Sequence, residues 1–193
     1  MKKAIIPTFP ALIIFLISLF SCNQVQKKTN TGKPSESVDC LSRMGGFIKW
    51  YKSNYPKIEA INLVKLVKRD DSSQYRVDFE NAERYKSLLR SSGFFSEQFF
   101  IDKSRYFRDC DKKLLGTKQD DGPAEGFEAD LILYTQEPDA AFTSLDSLNF
   151  IMLGPRDFPA QKIQIGSADN NLVFDIDTAS SGCLIEKISY AAK

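Results

Sequence analysis

Residues 162–176 read KIQIGSADNNLVFDI, two short alternating runs on either side of a turn. The isoleucines of the first run, and Leu172, Phe174 and Ile176 of the second, alternate with mostly polar residues. This period of two is typical of strands with one buried face, and the Asp-Asn-Asn between them is turn chemistry. With the run from Cys183 to Tyr190, the pattern predicts an antiparallel meander in the C-terminal third.

Helical spacing dominates the region before the meander. Ser37 is placed to cap a first helix, which Pro56 is expected to end at Tyr55. The glycines Gly45-Gly46 inside it predict close packing against another element. Its apolar face consists of Leu41, Met44, Ile48, Tyr51 and Tyr55.

A hairpin is expected between this helix and the next. Residues 61–67 are rich in aliphatic side chains, residues 68–73 are polar, and Tyr75, Val77 and Phe79 alternate with charged residues. The two runs therefore predict a pair of antiparallel strands.

Two further helices follow the hairpin. Asn81 is expected to cap the first, which stops at Gly93, and Ser96 the second, which stops at Gly116. The aromatic residues of the second predict a core stripe or, alternatively, a ligand-facing wall. Beyond them we expect an apolar run at 131–134, a loop opened by Pro138 and Asp139, and an apolar run at 150–153. Helices first and strands last predict an α+β fold with N-terminal helices packed on one curved antiparallel sheet.

Composition excludes several kinds of chemistry within this chain. It has 193 residues and no histidine, so a Ser-His-Asp triad, a Cys-His pair and a His-ligated metal are impossible. Its four cysteines form no CxxC motif. A formal charge of +1 argues against a nucleic-acid binder, and we expect no metal and no cofactor.

The amino terminus has the pattern of a secretory signal. Lys2 and Lys3 precede an apolar stretch at 4–20 that two prolines interrupt. Leu19-Phe20-Ser21-Cys22 then resembles the lipobox of bacterial lipoproteins, with Phe20 departing from the usual residue type. The resemblance implies a signal peptide at 1–21, cleavage before Cys22 and lipid on Cys22. The alternatives are an uncleaved anchor or a plain secreted protein.

The signal sets the expected organisation and location. Residues 22–36 are polar and are expected to form a flexible tether, and residues 37–193 a single domain. The protein would be an outer-membrane lipoprotein that faces the periplasm and contacts the membrane through its lipid.

The helix sequence Phe47-Ile48-Lys49-Trp50-Tyr51, the later helices and the terminal meander together resemble a known superfamily. They are similar to small bacterial lipoproteins of unknown function, of the Bacteroidetes type, in the nuclear-transport-factor-two-like, cystatin-like superfamily. The stretch at 120–127 and the run at 131–136 add to the likeness. The resemblance implies a cone-shaped α+β fold, and the hairpin at 61–79 departs from its simplest version.

Candidate ligand contacts come from one aromatic pair and one acidic region. The carboxylates at 120–130 predict a solvated acidic loop, or alternatively a calcium site or a pair of acid-base carboxylates. Trp50 is expected at the edge of the core or, with Tyr51, at a pocket mouth. The full set of predicted ligand contacts is Trp50, Tyr51, Asp121, Glu125, Asp130, Tyr134 and Gln136.

Three cysteines remain if Cys22 carries lipid. An exported compartment permits one disulfide among Cys40, Cys110 and Cys183, in any of three pairings. Cys110 on an apolar helix face is expected to be a buried free thiol.

The leading functional hypothesis is a lipid-anchored binding or interaction module for a small molecule, a glycan or an envelope protein. No catalytic residue is assigned. The alternatives are a hydrolase or isomerase that uses Asp121, Glu125 or Asp130, and an immunity-type inhibitor that inserts its acidic loop into a partner's active site.

Overall fold

A computed structural model describes residues 39–69, 72–116, 122–145, 149–153, 160–166, 171–179 and 182–190, all within the compact unit Glu36–Lys193. The helices of this part are α1 (Cys40–Glu59), α2 (Phe79–Ser91), α3 (Glu97–Gly116) and α4 (Pro138–Leu145). The strands are β1 (Val64–Arg69), β2 (Ser72–Val77), β3 (Asn149–Leu153), β4 (Ala160–Gly166), β5 (Asn171–Asp177) and β6 (Leu184–Tyr190). Helices that precede an antiparallel sheet confirm the α+β class.

The C-terminal strands form the predicted meander. Their order in the sheet is β3-β4-β5-β6, and each neighbouring pair is antiparallel. Ile163 lies opposite Phe174 and Ile165 opposite Leu172, and all four side chains are buried. The alternation in the sequence therefore marks the face of the sheet that the core covers.

The hairpin β1–β2 is a second sheet of its own, so the strands divide between two sheets rather than one. It is fixed to α3 instead of to the meander. Arg76 Nε and Nη2 donate to Asp111 Oδ1 and Oδ2 at 2.8 and 2.7 Å, and the N–H of Val77 donates to the same Oδ1 at 3.0 Å. The Arg76 guanidinium and the Val77 amide hold the pKa of Asp111 below its usual range, against the opposing effect of burial.

Helix α1 starts at Asp39, whose carboxylate accepts from the N–H groups of Leu41 and Ser42. The expected cap, Ser37, lies outside the described residues. Gly46 lies 3.6 Å from the Phe94 ring, counted from where a Cβ would stand. The predicted close packing at this pair is thereby confirmed.

The prediction that α1 ends at Tyr55 is wrong, because the helix continues through Pro56 to Glu59. Proline lacks an N–H and cannot donate to the carbonyl four residues earlier. In the last turn this removes a single hydrogen bond, and the carbonyl of Pro56 still accepts from the N–H of Ala60. The helix therefore continues for one more turn despite the missing hydrogen bond, and Ile58 in that turn is buried.

The predicted cap of α2 is wrong, and the predicted cap of α3 is confirmed. Asp78 caps α2 and accepts from the N–H of Asn81, so the prediction of Asn81 as the cap is wrong by one turn. The Asn81 amide instead donates to the carbonyl of Asn62 at 2.9 Å. Ser96 accepts from the N–H of Phe99 at 3.3 Å, which confirms it as the α3 cap.

The loop predicted at Pro138 and Asp139 is helix α4. Proline suits the first helical position because its missing N–H has no partner there, and an aspartate in the first turn favours the helix dipole. Phe142 of α4 is buried, with its ring 5.3 Å from that of Tyr55.

Aromatic side chains and one disulfide bring the helices and the meander together. Phe47 of α1 is fully buried, and rings from α1, the α2–α3 connection and β5 surround it. Cys40, the first residue of α1, is bonded to Cys183, the residue before β6, with a Cα–Cα distance of 5.4 Å. Cys110 is a buried free thiol, as predicted.

Candidate functional site

Asp130 organises a tight turn in the connection between α3 and α4. Its Oδ1 accepts from the N–H groups of Ile132 at 2.8 Å and Leu133 at 2.6 Å. Its carbonyl accepts from the N–H of Tyr134, and its own N–H donates to the carbonyl of Thr135, both at 2.9 Å. Side-chain acceptance of this kind competes with regular structure, so the apolar run predicted here is a turn. We call residues 130–135 the Asp130 turn.

Tyr51 of α1 meets this turn from inside the core. Its side chain is fully buried, and its hydroxyl donates to Asp130 Oδ2 at 2.7 Å. Burial raises the pKa of Tyr51 well above its ordinary value, with Tyr85 and Asp130 adding to the effect. Tyr51 therefore remains a protonated donor to a carboxylate that already accepts two backbone hydrogen bonds.

Tyr85 of α2 lies close to the same carboxylate and to the Tyr51 hydroxyl, but its own hydroxyl has no hydrogen-bond partner of good geometry among the described residues. The side chain is 2% exposed. Burial and the nearby charge of Asp130 raise its pKa well above the ordinary value. A buried hydroxyl without a partner costs about 1–3 kcal/mol.

The largest of three clefts bounded by described residues lies between α3 and β6 and ends at the Asp130 turn. Its volume is about 400 Å³, within the range of roughly 300–1,000 Å³ that small-molecule sites occupy. We call it the α3–β6 cleft. Its walls combine apolar and charged side chains: Phe99, Asp102, Lys103, Arg105, Tyr106, Leu131, Tyr134, Glu186, Lys187 and Ile188.

Lys103 is the least exposed of the three cations that line this cleft, the others being Arg105 and Lys187. Its Nζ donates to the carbonyl of Leu131 at 2.9 Å and lies 5.6 and 5.4 Å from the ring centroids of Phe99 and Tyr106. Among the described residues, no carboxylate is within ion-pair distance of it. Burial lowers the pKa of Lys103 to about 8, although the negative charge of Asp130 acts in the opposite direction.

Tyr134 closes one end of the cleft in an unusual backbone conformation. Its φ is 53°, in the left-handed region that non-glycine residues seldom adopt. Its hydroxyl donates to the carbonyl of Ile188 in β6 at 2.9 Å. This side chain therefore ties the Asp130 turn to the edge strand of the sheet.

Gly126 packs closely against two α3 side chains, Cys110 and Tyr106. Its φ is +86°, and a Cβ at this position would stand 2.8 Å from Cys110 Sγ. The hydroxyl of Tyr106 donates to the carbonyl of Gly126. Tyr106 thus belongs to the cleft wall through its ring and to the loop through its hydroxyl.

Two smaller clefts have their polar groups differently arranged. One, of about 230 Å³, lies beside α1 and α2 and includes Tyr55, Glu59 and Asp130. The other, of about 190 Å³, contains Lys86, whose ammonium donates to Glu83 Oε1 and to the hydroxyl of Ser104, each at 2.6 Å. Lys86 is thus satisfied by this chain, whereas within the described residues the partners of Lys103 are a carbonyl and two rings.

The predicted aromatic contacts differ in how far they are buried and in whether they line a cleft. Trp50 is half-buried at the edge of the core, with its ring centroid 6.5 Å from those of Tyr51 and Phe94. Tyr51 is in the core and lines none of the three clefts. Tyr134 lines the α3–β6 cleft. Their part in ligand contact stays a prediction.

The predicted polar contacts do not converge on one cleft. Asp130 lines the smaller cleft beside α1 and α2. Glu125 and Gln136 are exposed and line none of the three clefts. Asp121 lies outside the described residues. Asp130 and Tyr51, however, are brought together by a direct hydrogen bond.

Lys103 is the cleft residue that the sequence analysis missed, whereas Tyr106 belongs to the aromatic residues of α3 for which a ligand-facing wall was the alternative prediction. With Phe99 they stand at positions i, i+4 and i+7 of α3, which places all three on one helix face. A lysine on an otherwise aromatic helix face is a sequence feature that could have indicated this cleft. What the sequence could not supply is the partner of that face, because β6 lies about eighty residues further along the chain.

Comparisons with known proteins give this site no assignment. No protein-family model, curated protein or solved structure matches the chain. Within the described ranges, no group of three or more cysteine or carboxylate side chains is placed to hold a metal ion. None of the described helices is long and apolar enough to cross a bilayer.

Proposed function

We propose that the protein is an exported, lipid-anchored binding module of the bacterial cell envelope, with the α3–β6 cleft as its ligand site. Support for export comes from the sequence: Lys2 and Lys3, the apolar stretch at 4–20 and the lipobox-like residues up to Cys22 stand in the order of a lipoprotein signal. These residues lie outside the described part of the chain. Lipid on Cys22 would hold the domain at the outer membrane, facing the periplasm.

The observation that carries the binding proposal is the combination of a small-molecule-sized cleft with a cation that lacks a counter-ion. Buried charges are normally paired, because leaving water without a partner is unfavourable. Lys103, which is half-buried in the wall of the α3–β6 cleft, has no carboxylate partner among the described residues and so departs from this rule. Aromatic and aliphatic walls with a few convergent polar groups are the usual make-up of a ligand pocket.

The enzyme alternative that uses Asp121, Glu125 or Asp130 has less support from the described residues. General acid-base work on a sugar needs two carboxyl groups facing the same substrate. Glu125 is exposed and Asp130 lines a different cleft from Lys103, where it already accepts three hydrogen bonds. None of the three clefts contains both of these residues.

The anchoring half of the proposal is tested by mass spectrometry of the protein from the membrane fraction. We expect the N-terminal peptide to begin at Cys22 and to carry a diacylglyceryl or triacyl adduct. A Cys22→Ala variant should leave the membrane fraction. An unmodified terminus in the native protein would contradict lipidation.

The binding half is tested by a fragment screen followed by amide chemical shifts in NMR. We expect hits to shift the amides of Leu131, Tyr134 and Ile188, which lie on opposite sides of the α3–β6 cleft. Hits that perturb only the residues around Lys86 or Tyr55 would place the site elsewhere. A library with no hit at the α3–β6 cleft would count against the proposal.

A further inference from the structure

We infer that the ligand of the α3–β6 cleft is an organic anion with an apolar body, whose anionic group pairs with the ammonium of Lys103. This inference rests on the proposed function and adds the chemical class of the ligand. The apolar part would lie between α3 and β6. The anionic group would reach the inner end of the cleft, next to the Asp130 turn.

The anionic group follows from what Lys103 has and lacks. An ammonium has three donors, and one of them is used on the carbonyl of Leu131 at 2.9 Å. The Phe99 and Tyr106 rings attract the charge through their faces but accept no strong hydrogen bond. Two donors therefore remain for an incoming acceptor, and a carboxylate or phosphate oxygen makes the strongest such bond.

Lys86 is a second lysine of this chain with which the surroundings of Lys103 can be compared. Lys86 is buried, whereas Lys103 is half-buried, and this chain gives Lys86 both a carboxylate and a hydroxyl at 2.6 Å. The same fold thus neutralises the more buried lysine with its own residues, whereas among the described residues Lys103, in the larger cleft, donates to a carbonyl and contacts two rings. The difference is expected if the partner of Lys103 arrives from outside.

The apolar body follows from the walls. Phe99, Leu131 and Ile188 present carbon surface on both sides of the cleft, and about 400 Å³ is more than a bare inorganic anion fills. Arg105, which is paired with Asp102 at 2.9 Å, and Lys187 are both exposed to solvent, so Lys103 is the least hydrated of the three cations that line the cleft. A compound with one anionic group and a ring or short alkyl chain fits these surroundings.

The pairing makes binding depend on pH. The ionisable or charged groups that face Lys103 are Asp102, Arg105, Tyr106 and Cys110 of α3, Asp130 and Tyr134 of the turn, and Glu186 and Lys187 of β6. Because the pKa of Lys103 is about 8, its ammonium is largely present at pH 7 and largely lost at pH 9. Affinity for an anion should fall across that interval, and affinity for a neutral analogue should not.

The test is a titration of the full-length protein with matched probes, followed by NMR at the cleft amides. The probes are 4-phenylbutyrate, its neutral amide, 4-phenylbutylamine and acetate. We expect 4-phenylbutyrate to bind about tenfold more tightly than the amide, and the amine and acetate not to saturate the site. Raising the pH from 7 to 9 should remove most of the preference for the carboxylate.

Variants separate the charge from the shape of the cleft. Lys103→Met should lose the preference for 4-phenylbutyrate over its amide, and Lys103→Arg should keep it. Lys49→Met, on the exposed face of α1 and outside the cleft, is the matched control and should bind like the native chain. Unchanged cooperative thermal unfolding shows that each variant is folded.

Equal binding of the carboxylate and the amide would overturn the anion inference and leave the binding function standing. Binding of acetate as tight as that of 4-phenylbutyrate would overturn the apolar body. If no probe shifts the cleft amides, the inference is wrong for this class of ligand, and the fragment screen decides separately whether the cleft binds anything. A preference that survives Lys103→Met would also contradict it.

Discussion

The hydroxyl of Tyr51 donates to Asp130 Oδ2 at 2.7 Å, which joins α1 to a turn 79 residues further along the chain. The same carboxylate accepts from two backbone amides of the Asp130 turn through its other oxygen. That turn supplies Leu131 and Tyr134 to the α3–β6 cleft. The geometry of the cleft is therefore linked to a hydrogen bond inside the core.

Tyr51→Phe should destabilise the domain. It removes the donor and leaves a half-buried carboxylate with one fewer partner, and hydrogen bonds to charged groups contribute about 1.5–3 kcal/mol. We expect a loss of that size in the free energy of unfolding, measured by chemical denaturation. Amide shifts in the Asp130 turn should change as well.

Tyr85→Phe is the matched control, since it removes a buried hydroxyl from the same neighbourhood. Because that hydroxyl has no partner of good geometry among the described residues, we expect stability to stay within about 0.5 kcal/mol of the native value or to rise. If Tyr85→Phe cost as much as Tyr51→Phe, the assignment of the hydrogen bond to Tyr51 alone would be wrong.

The Arg76–Asp111 pair should contribute to acid sensitivity. The pKa of Asp111 is lowered in the folded state, so its contribution is fully present above the unfolded value near 4 and is lost as the pH falls through the folded value. We expect Asp111→Asn to lower stability at pH 7 by about 2 kcal/mol. The gap between the native chain and the variant should narrow below pH 4, and a gap that stays constant down to pH 2 would contradict this account.

The cysteines of the domain should behave as one disulfide and one protected thiol. We expect Cys110 not to react with a thiol reagent in the folded protein and to react fully after denaturation. The double variant Cys40→Ser, Cys183→Ser should lose up to roughly 5 kcal/mol, because the disulfide closes a loop of 143 residues. Fast labelling of Cys110 in the native state would contradict its burial.

Lys103 should titrate near pH 8, which NMR of its side-chain nuclei can measure. Between that value and the unfolded pKa near 10.4 the unfolded chain holds a proton that the folded chain has lost, so stability should rise with pH. Lys103→Met should flatten this rise between pH 8 and 10. A midpoint above 10 would show that the ammonium is well solvated.

The elements predicted correctly are those fixed by local pattern. Alternation places Ile163, Ile165, Leu172, Phe174 and Ile176 on the buried face of the sheet, and Ser96 is recognised as a cap because its neighbours continue as a helix. Helix α4 was missed, since its eight residues are too few to show a period. Its start at Pro138 reflects a position-specific preference that reads equally well as a turn.

The candidate site was predicted only in part, because it depends on contacts between distant segments. Asp130 and Tyr134 stood out as polar residues beside an apolar run. The hydrogen bond from Tyr134 to Ile188 and the approach of Lys103 to Leu131 are set by how β6 and α3 pack, which no local pattern encodes. The disulfide pairing was open for the same reason.

The measurement that tests the central claim most directly is a crystal structure of the protein soaked with the strongest hits of the fragment screen. We predict ligand density in the α3–β6 cleft, between the Lys103 ammonium and the side chains of Tyr134 and Ile188. Density confined to the cleft beside Tyr55 and Asp130, or to the one around Lys86, would contradict the assignment of the ligand site.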